Sequence, residues 1–172
     1  MSREIMQAIG VRAIEMIEEN IANGIGYDGS RFAYSEQPFA RPVGRLPGRR
    51  SFEKEGRLKL FTANSGALWA VVTGGYADWR AMQGLNPHGD FLQVTGKMLR
   101  NMGIIGIGAD QVRIGFDDPV QAKKALWLNV LGAGSSRRLW KFLGLQPHQR
   151  TELAEYAATL FSRSDLGSLI NL

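Results

Sequence analysis

In the second half of the chain the spacing of apolar residues changes from every second residue to that of a helix, and this change constrains the fold most. Along 111–116 every second residue is apolar, which is typical of a half-buried strand. The run 104–108 lies just before it, and Ala109-Asp110 separates the two. The pattern therefore predicts a β-hairpin.

A helix is predicted directly after the hairpin. Asp118-Pro119 supplies an acceptor at the helix cap and a proline in the first turn. The apolar residues that follow predict a largely buried helix up to Leu131, with Gly132 ending it. Other segments have weaker patterns, which predict a helix over 4–23 ended by Asn23-Gly24, one helical turn over 97–102, a strand over 138–145 and a last helix from Pro147.

The segment 30–66 shows neither the alternation of a strand nor the spacing of a helix, and Pro38, Pro42 and Pro47 interrupt it. This predicts a long extended arm, with one short strand at 59–62. Residues 67–83 are ambiguous between a strand followed by a helix and one bent helix, and Gly74-Gly75 favours a break. The fold class predicted is α+β, a small antiparallel sheet with a β-hairpin packed against three to four helices, plus this arm.

The length of 172 residues favours a single domain, 1–172. Its predicted parts are an N-terminal helix (1–24), an extended basic arm (30–66), an α+β core (67–162) and a C-terminal tail (163–172). The chain has no cysteine, which excludes disulfides, thiolate metal sites and cysteine nucleophiles. No apolar run approaches the ~18 residues of a membrane span, and the N-terminus lacks the apolar stretch of a secretory signal, so neither is expected.

The residues that carry chemistry are few. Gly24-Ile25-Gly26-Tyr27-Asp28-Gly29 matches a dinucleotide fingerprint in letters, but a helix precedes it where that site needs a strand, so a helix-terminating loop is the better interpretation. His88 and His148 lack neighbouring carboxylates at ligand spacing, and Glu15, Glu18 and Glu19 fit a solvated helix face. No nucleophile–base pair exists in the pattern, so we expect a non-enzyme without catalytic, metal or cofactor residues.

The net charge of +5 is concentrated in the arm. The basic residues between 41 and 59 are Arg41, Arg45, Arg49, Arg50, Lys54, Arg57 and Lys59, against Glu53 and Glu55. They either solvate a loop or contact a partner subunit or DNA, and the candidate contacts are Phe39, Arg41, Arg45, Arg49, Arg50 and Arg57. The tryptophans Trp69, Trp79, Trp127 and Trp140 favour burial in a core or an interface over base stacking.

Four short segments, taken in their order along the chain, are similar to the motifs of a known family: Phe91-Leu92-Gln93-Val94-Thr95-Gly96-Lys97-Met98-Leu99, Val112-Arg113-Ile114-Gly115-Phe116, Asn129-Val130-Leu131-Gly132 and Lys141-Phe142-Leu143-Gly144-Leu145. They resemble the L-x-x-T-G-x-L, V-x-I-G, H-Q-F-G and P-F-L-G-L segments of phage virion-morphogenesis proteins, with Asn129 replacing histidine and Lys141 replacing proline. Residues 26–32 with Tyr34-Ser35 resemble a D-G-x-x-F-x-x-Y-S stretch of that family. The resemblance covers roughly 76–162 and leaves the arm from 36 to 66 uncovered.

The resemblance implies a structural subunit of a tailed-phage virion, assembled in the host cytoplasm into the head–tail neck or tail-completion ring. Its implied partners are other copies in a six- or twelve-fold ring, other neck, connector or tail proteins, and DNA in the ring lumen through non-specific contact, with no membrane. The family-motif positions are Thr95, Gly96, Gly115, Asn129, Gly132, Phe142, Leu143 and Gly144. Two alternatives stay open: a tail terminator or minor tail protein, and a basic nucleic-acid-binding module.

Overall fold

The computed structural model describes residues 2–43, 49–92, 96–132 and 137–170, with side chains up to Arg163. The chain forms two compact units. Unit 1 combines Met1–Phe32 with Thr95–Leu172, and unit 2 is Ala33–Val94, inserted in sequence between the two parts of unit 1. Helices and small antiparallel sheets make up both, which confirms the predicted α+β class.

Unit 1 begins with the helix α1, Arg3–Ala22, as the apolar spacing predicts. The Ser2 side chain accepts from the Glu4 backbone N–H at the start, and Gly24 adopts a left-handed φ of +68° just after the end. The predicted hairpin forms from β4, Met102–Ile107, and β5, Val112–Phe116, with a register shift between Ile104 and Gly106.

The remaining helices of unit 1 follow in sequence. The short helix α4, Lys97–Arg100, precedes the hairpin, and α5, Pro119–Leu126, follows it and continues as a π-helical segment, Trp127–Leu131. The helix α6 spans Pro147–Ile170. The helix α1 packs against both α6 and the hairpin, and its Gly10 allows the close approach, because a Cβ there would lie 2.6 Å from Ile104 Cδ1.

Unit 2 contains a three-stranded antiparallel sheet with the strand order β1-β3-β2. The strands are β1, Phe39–Pro42; β2, Leu58–Thr62; and β3, Leu68–Val72. The helices α2, Arg49–Lys54, and α3, Gly75–Met82, pack against β2 and β3 respectively. The buried core consists of Leu58, Ala70, Val72 and Met82, with Phe39, Val43, Phe52, Leu60 and Trp79 partly buried around it.

The extended arm predicted over 30–66 is wrong. Its two strands and one helix belong to unit 2, where β1 pairs with β3 across about thirty residues of chain. Because β1 has only four residues and ends in Pro42, it is too short to display a period, and an edge strand tolerates proline. The break at Gly74-Gly75 and the strand near 59–62 are confirmed.

Two further predictions require correction. Residues 138–145 do not form a strand; they run in irregular conformation and contact the rest of unit 1 through individual backbone hydrogen bonds. The stretch 163–172 is not a tail as far as it is described, because α6 continues to Ile170. The sequence favours one domain, whereas contacts within the chain cluster into the two units given above.

Candidate assembly surface

The helix α5 and the π-helical segment expose several large apolar side chains. Asp118 caps the helix, since its Oδ1 accepts from the Val120 backbone N–H at 2.7 Å, and Pro119 occupies the first turn. Only two residues of α5, Gln121 and Ala125, are buried. The prediction of a largely buried helix is therefore wrong, because the apolar residues beyond Ala125 point mainly outward.

Five large apolar side chains on this face are between 49% and 59% exposed: Val120, Leu126, Trp127, Val130 and Leu131. The exposed Lys123 and Lys124 lie among them. We call these seven residues the α5 face. Exposed apolar side chains that share one helical face are typical of surfaces that a partner covers, so these residues form a candidate contact surface.

The segment after the π-helix holds it in place. The Trp140 backbone N–H donates to Leu128 O at 2.8 Å, and the Leu143 N–H donates to Asn129 Oδ1 at 3.0 Å. Two side chains of this segment are packed: Trp140 is 7% exposed and lies against the Phe32 ring, and Phe142 is fully buried. The α5 face thus rests on a fixed support.

The family-motif positions have structural roles in unit 1. Gly132 has a φ of +84° and ends the π-helical segment, and Gly96 has a φ of +66° before α4. Gly144 lies against the Tyr27 ring, where a Cβ would come within 2.8 Å of Cδ1. Gly115 lies against Ile105, where a Cβ would come within 2.7 Å of Cδ1. Thr95 lies outside the described residues. Among the described positions, the glycines therefore have backbone conformations or close contacts that a larger residue would disturb.

The two departures from the family motifs also have partners. Asn129 accepts from the Leu143 N–H, as described above. Lys141 Nζ lies 3.1 Å from Asp28 Oδ2. Asp28 also accepts from Ser30 Oγ at 2.6 Å and from the Ser30 N–H at 3.1 Å, and these hydrogen bonds, then Lys141, lower the pKa of Asp28 to about 2. The same ion pair raises the pKa of Lys141.

The basic residues chosen from the sequence are mostly engaged within unit 2. The Arg41 guanidinium lies 5.0 Å from the Trp79 ring centre, and Arg49 Nε donates to Glu53 Oε1 at 2.6 Å. Arg57 pairs with Asp78 and Glu55, and the Asp78 hydrogen bond is the main cause of its raised pKa. Phe39 packs against the core, and Arg50 is exposed. Arg45 lies outside the described residues.

Arg80 is a key residue that the sequence did not single out. Its side chain is fully buried, and its guanidinium lies 4.5 Å from the Tyr34 ring centre. It donates to the backbone oxygens of Asn86, Gly89 and Asp90 at 2.9 to 3.3 Å. A signal did exist, because Arg80 lies three residues after the buried Ala77 on α3, on the inward face of the helix.

The patterns considered for small-molecule chemistry do not converge in the described parts of the chain. The 24–29 stretch is the loop after α1, closed by a hydrogen bond from the Gly26 N–H to Ser30 O at 2.8 Å. His88 and His148 are both exposed, and no group of three or more His, Asp or Glu side chains able to hold a metal occurs among the described residues. An open groove between α1, α6 and the hairpin is lined mainly by apolar side chains such as Ile9, Ile114 and Phe161.

Within the described ranges, every helix is too short or too polar to cross a membrane. Comparisons of the chain with protein-family models, with curated proteins and with solved structures give no match.

Proposed function

We propose that this chain is a non-enzymatic structural subunit of a tailed-phage virion, placed in the head–tail neck or tail-completion ring. The observation that carries the proposal is the α5 face. Four of its apolar side chains are about half exposed, which suits a surface that a neighbouring subunit buries on assembly: Leu126, Trp127, Val130 and Leu131. An enzyme would instead need converging polar or titratable groups in a cleft.

The order of the family-like segments supports the same class. All the described positions of these segments from Gly96 onward belong to unit 1; Val130 and Leu131 form part of the α5 face, and Asn129 beside them accepts a hydrogen bond from the Leu143 N–H. A subunit of a neck ring needs both a stable core and an exposed surface that binds its neighbour. Ring assembly with other copies, and contact with connector or tail proteins, follow as parts of the proposal.

The nucleic-acid alternative has less support. Arg41, Arg49 and Arg57 have ring or carboxylate partners within unit 2, so their charges are already engaged. Arginines that bind phosphate need to reach out of the surface. Among the candidate arginines described, Arg50 is the exposed one. Lys54 and Lys59 are also exposed, so among the described residues of 41–59 a contact with DNA would depend on these two lysines and Arg50.

Localisation in the particle tests the proposal. We expect the chain to be present in purified tailed particles, and gold-labelled antibodies against it to bind at the head–tail junction in electron micrographs. Loss of its gene should leave separate filled heads and tails. Label along the tail would favour a minor tail protein. Absence of the chain from purified particles would contradict the proposal.

A further inference from the structure

The α5 face combines apolar anchors with positive charge. Lys123 and Lys124 lie between Val120 and Trp127 in sequence, and all four are exposed. The backbone of Arg137, an exposed residue, lies against Gly132 at the end of this face. A partner of this face must offer apolar contact and negative charge together.

A surface of that composition exists on unit 1 itself, where α1 and α6 pack side by side. Arg12 donates to Glu15 Oε2 at 3.1 Å and to Glu152 Oε1 at 2.5 Å, which brings the acidic side chains of the two helices together. The exposed glutamates of these two helices include Glu15, Glu18 and Glu19 of α1 and Glu152 and Glu155 of α6. We call these five the acidic face; the same two helices also expose the apolar residues Val11 and Tyr156, to 46% and 37%.

We propose that the α5 face of one copy of this chain docks on the acidic face of a second copy, so that copies join head to tail. The inference rests on the proposed function and names the two surfaces that meet. Lys123 and Lys124 would lie opposite carboxylates, while Trp127 and its apolar neighbours would cover Val11 and Tyr156. Because the two surfaces differ, repetition of the contact gives a ring where the rotation closes.

Other occupants fit the α5 face less well. Two α5 faces meeting each other would bring Lys123 and Lys124 of one copy towards those of the other, and like charges oppose that contact. DNA would pair with the lysines but leave Leu126, Val130 and Leu131 against phosphate and water. The acidic face of a second copy satisfies both the charges and the apolar side chains.

Exchange of charge tests the pairing. We expect Lys123→Glu/Lys124→Glu and, separately, Glu18→Lys/Glu19→Lys to weaken self-association at least tenfold, measured by light scattering and native mass spectrometry of the full chain. Mixing the two double variants restores opposite charge at every contact. The mixture should assemble with alternating copies of the two variants, so that every closed ring holds an even number of copies. All four positions are exposed, and circular dichroism would check that each variant folds.

A second pair of variants tests the apolar contribution. Trp127→Ala should weaken association at least tenfold, whereas Phe61→Ala, which truncates a 42% exposed ring of unit 2, should leave it unchanged. A wild-type chain that stays monomeric up to about 1 mM, the weakest range of specific binding, overturns the proposal. A mixture of the two double variants that fails to associate also overturns it. So does binding of a DNA duplex that requires Lys123 and Lys124 when self-association of the chain does not require them.

The outcome separates the interface from the proposed function. Variants that assemble normally while the wild type is found at the head–tail junction would refute the interface and leave the function standing. Alternating assembly of the mixed variants, with the wild type absent from tailed particles, would establish the interface and refute the function.

Discussion

Arg80 closes the loop that follows α3 by donating to three of its backbone oxygens. We expect Arg80→Met, which keeps the length of the side chain, to lower the free energy of unfolding by about 2–4 kcal/mol, because it leaves partly buried carbonyls without donors. Urea unfolding measures the change. Arg50→Met is the matched control at an exposed arginine and should change stability by less than about 0.5 kcal/mol.

Asp28 makes the stability of the chain depend on pH in the acidic range. Its pKa in the folded chain is about 2, below the ordinary value of 3.8, so the folded state holds fewer protons than the unfolded state between these values. The stabilisation is complete above about pH 4 and is lost as the pH falls through about 2. The carboxyl resonance of Asp28 followed by NMR gives its pKa directly.

Substitution provides the control for this pH dependence. Asp28→Asn should flatten the loss of stability between pH 4 and 3 relative to the wild type, since it removes the titrating group. An equal slope in both chains would show that other carboxylates dominate there. Asp28 and Lys141 are more than a hundred residues apart in sequence, so local spacing could not predict their ion pair.

At the scale of elements, the start of α3 depends on a close approach of backbone. Gly75 has a φ of +69°, and a Cβ there would meet the Ser35 carbonyl oxygen and the Glu36 backbone. Gly75→Ala should therefore cost about 2–5 kcal/mol from left-handed strain and overpacking together. Gly84→Ala shares the left-handed φ, +71°, but meets open space, so about 1–2 kcal/mol is expected. Thermal unfolding of the two variants compares them.

The junction of α1 and α6 is fixed by a small amide cluster. Asn20 and Gln149 are each 5% exposed; Asn20 Nδ2 donates to Gln149 Oε1 at 2.8 Å, and Gln149 Nε2 donates to Asn20 Oδ1 at 3.0 Å. Asn20→Ala leaves the Gln149 amide buried without these partners and should cost about 1–3 kcal/mol in urea unfolding. Gln7→Ala on the exposed side of α1 is the control, and an equal loss there would contradict this account.

The elements that the sequence predicts correctly have local signals. The helix α1 and the hairpin repeat their apolar period over several residues, and Gly74-Gly75 marks a real break. The strand β1 has no such signal, because its place is set by pairing with β3 in another part of the chain. The exposed apolar α5 face was missed for a related reason: apolar spacing alone does not distinguish a core from a surface that a partner covers.

At the scale of the whole chain, the two units have separate cores, so a local defect should stay local. We expect Gly75→Ala to speed amide hydrogen exchange within 33–92 while exchange within 2–32 and 96–170 remains unchanged. Mass spectrometry of peptides from the exchanged chain measures both. Asn20→Ala should do the reverse. Equal acceleration in both units for either variant would indicate one cooperative structure.

The turn between β2 and β3 has a practical consequence for imaging. Ala63 and Ala67 close it with a backbone hydrogen bond of 2.9 Å, and Asn64, Ser65 and Gly66 at its tip are exposed. Exposed tips of this kind accept inserted peptides with little loss of stability. An epitope placed there would leave both chain ends untouched and give antibodies a defined point of attachment on unit 2, so that its direction within a larger assembly becomes visible in micrographs.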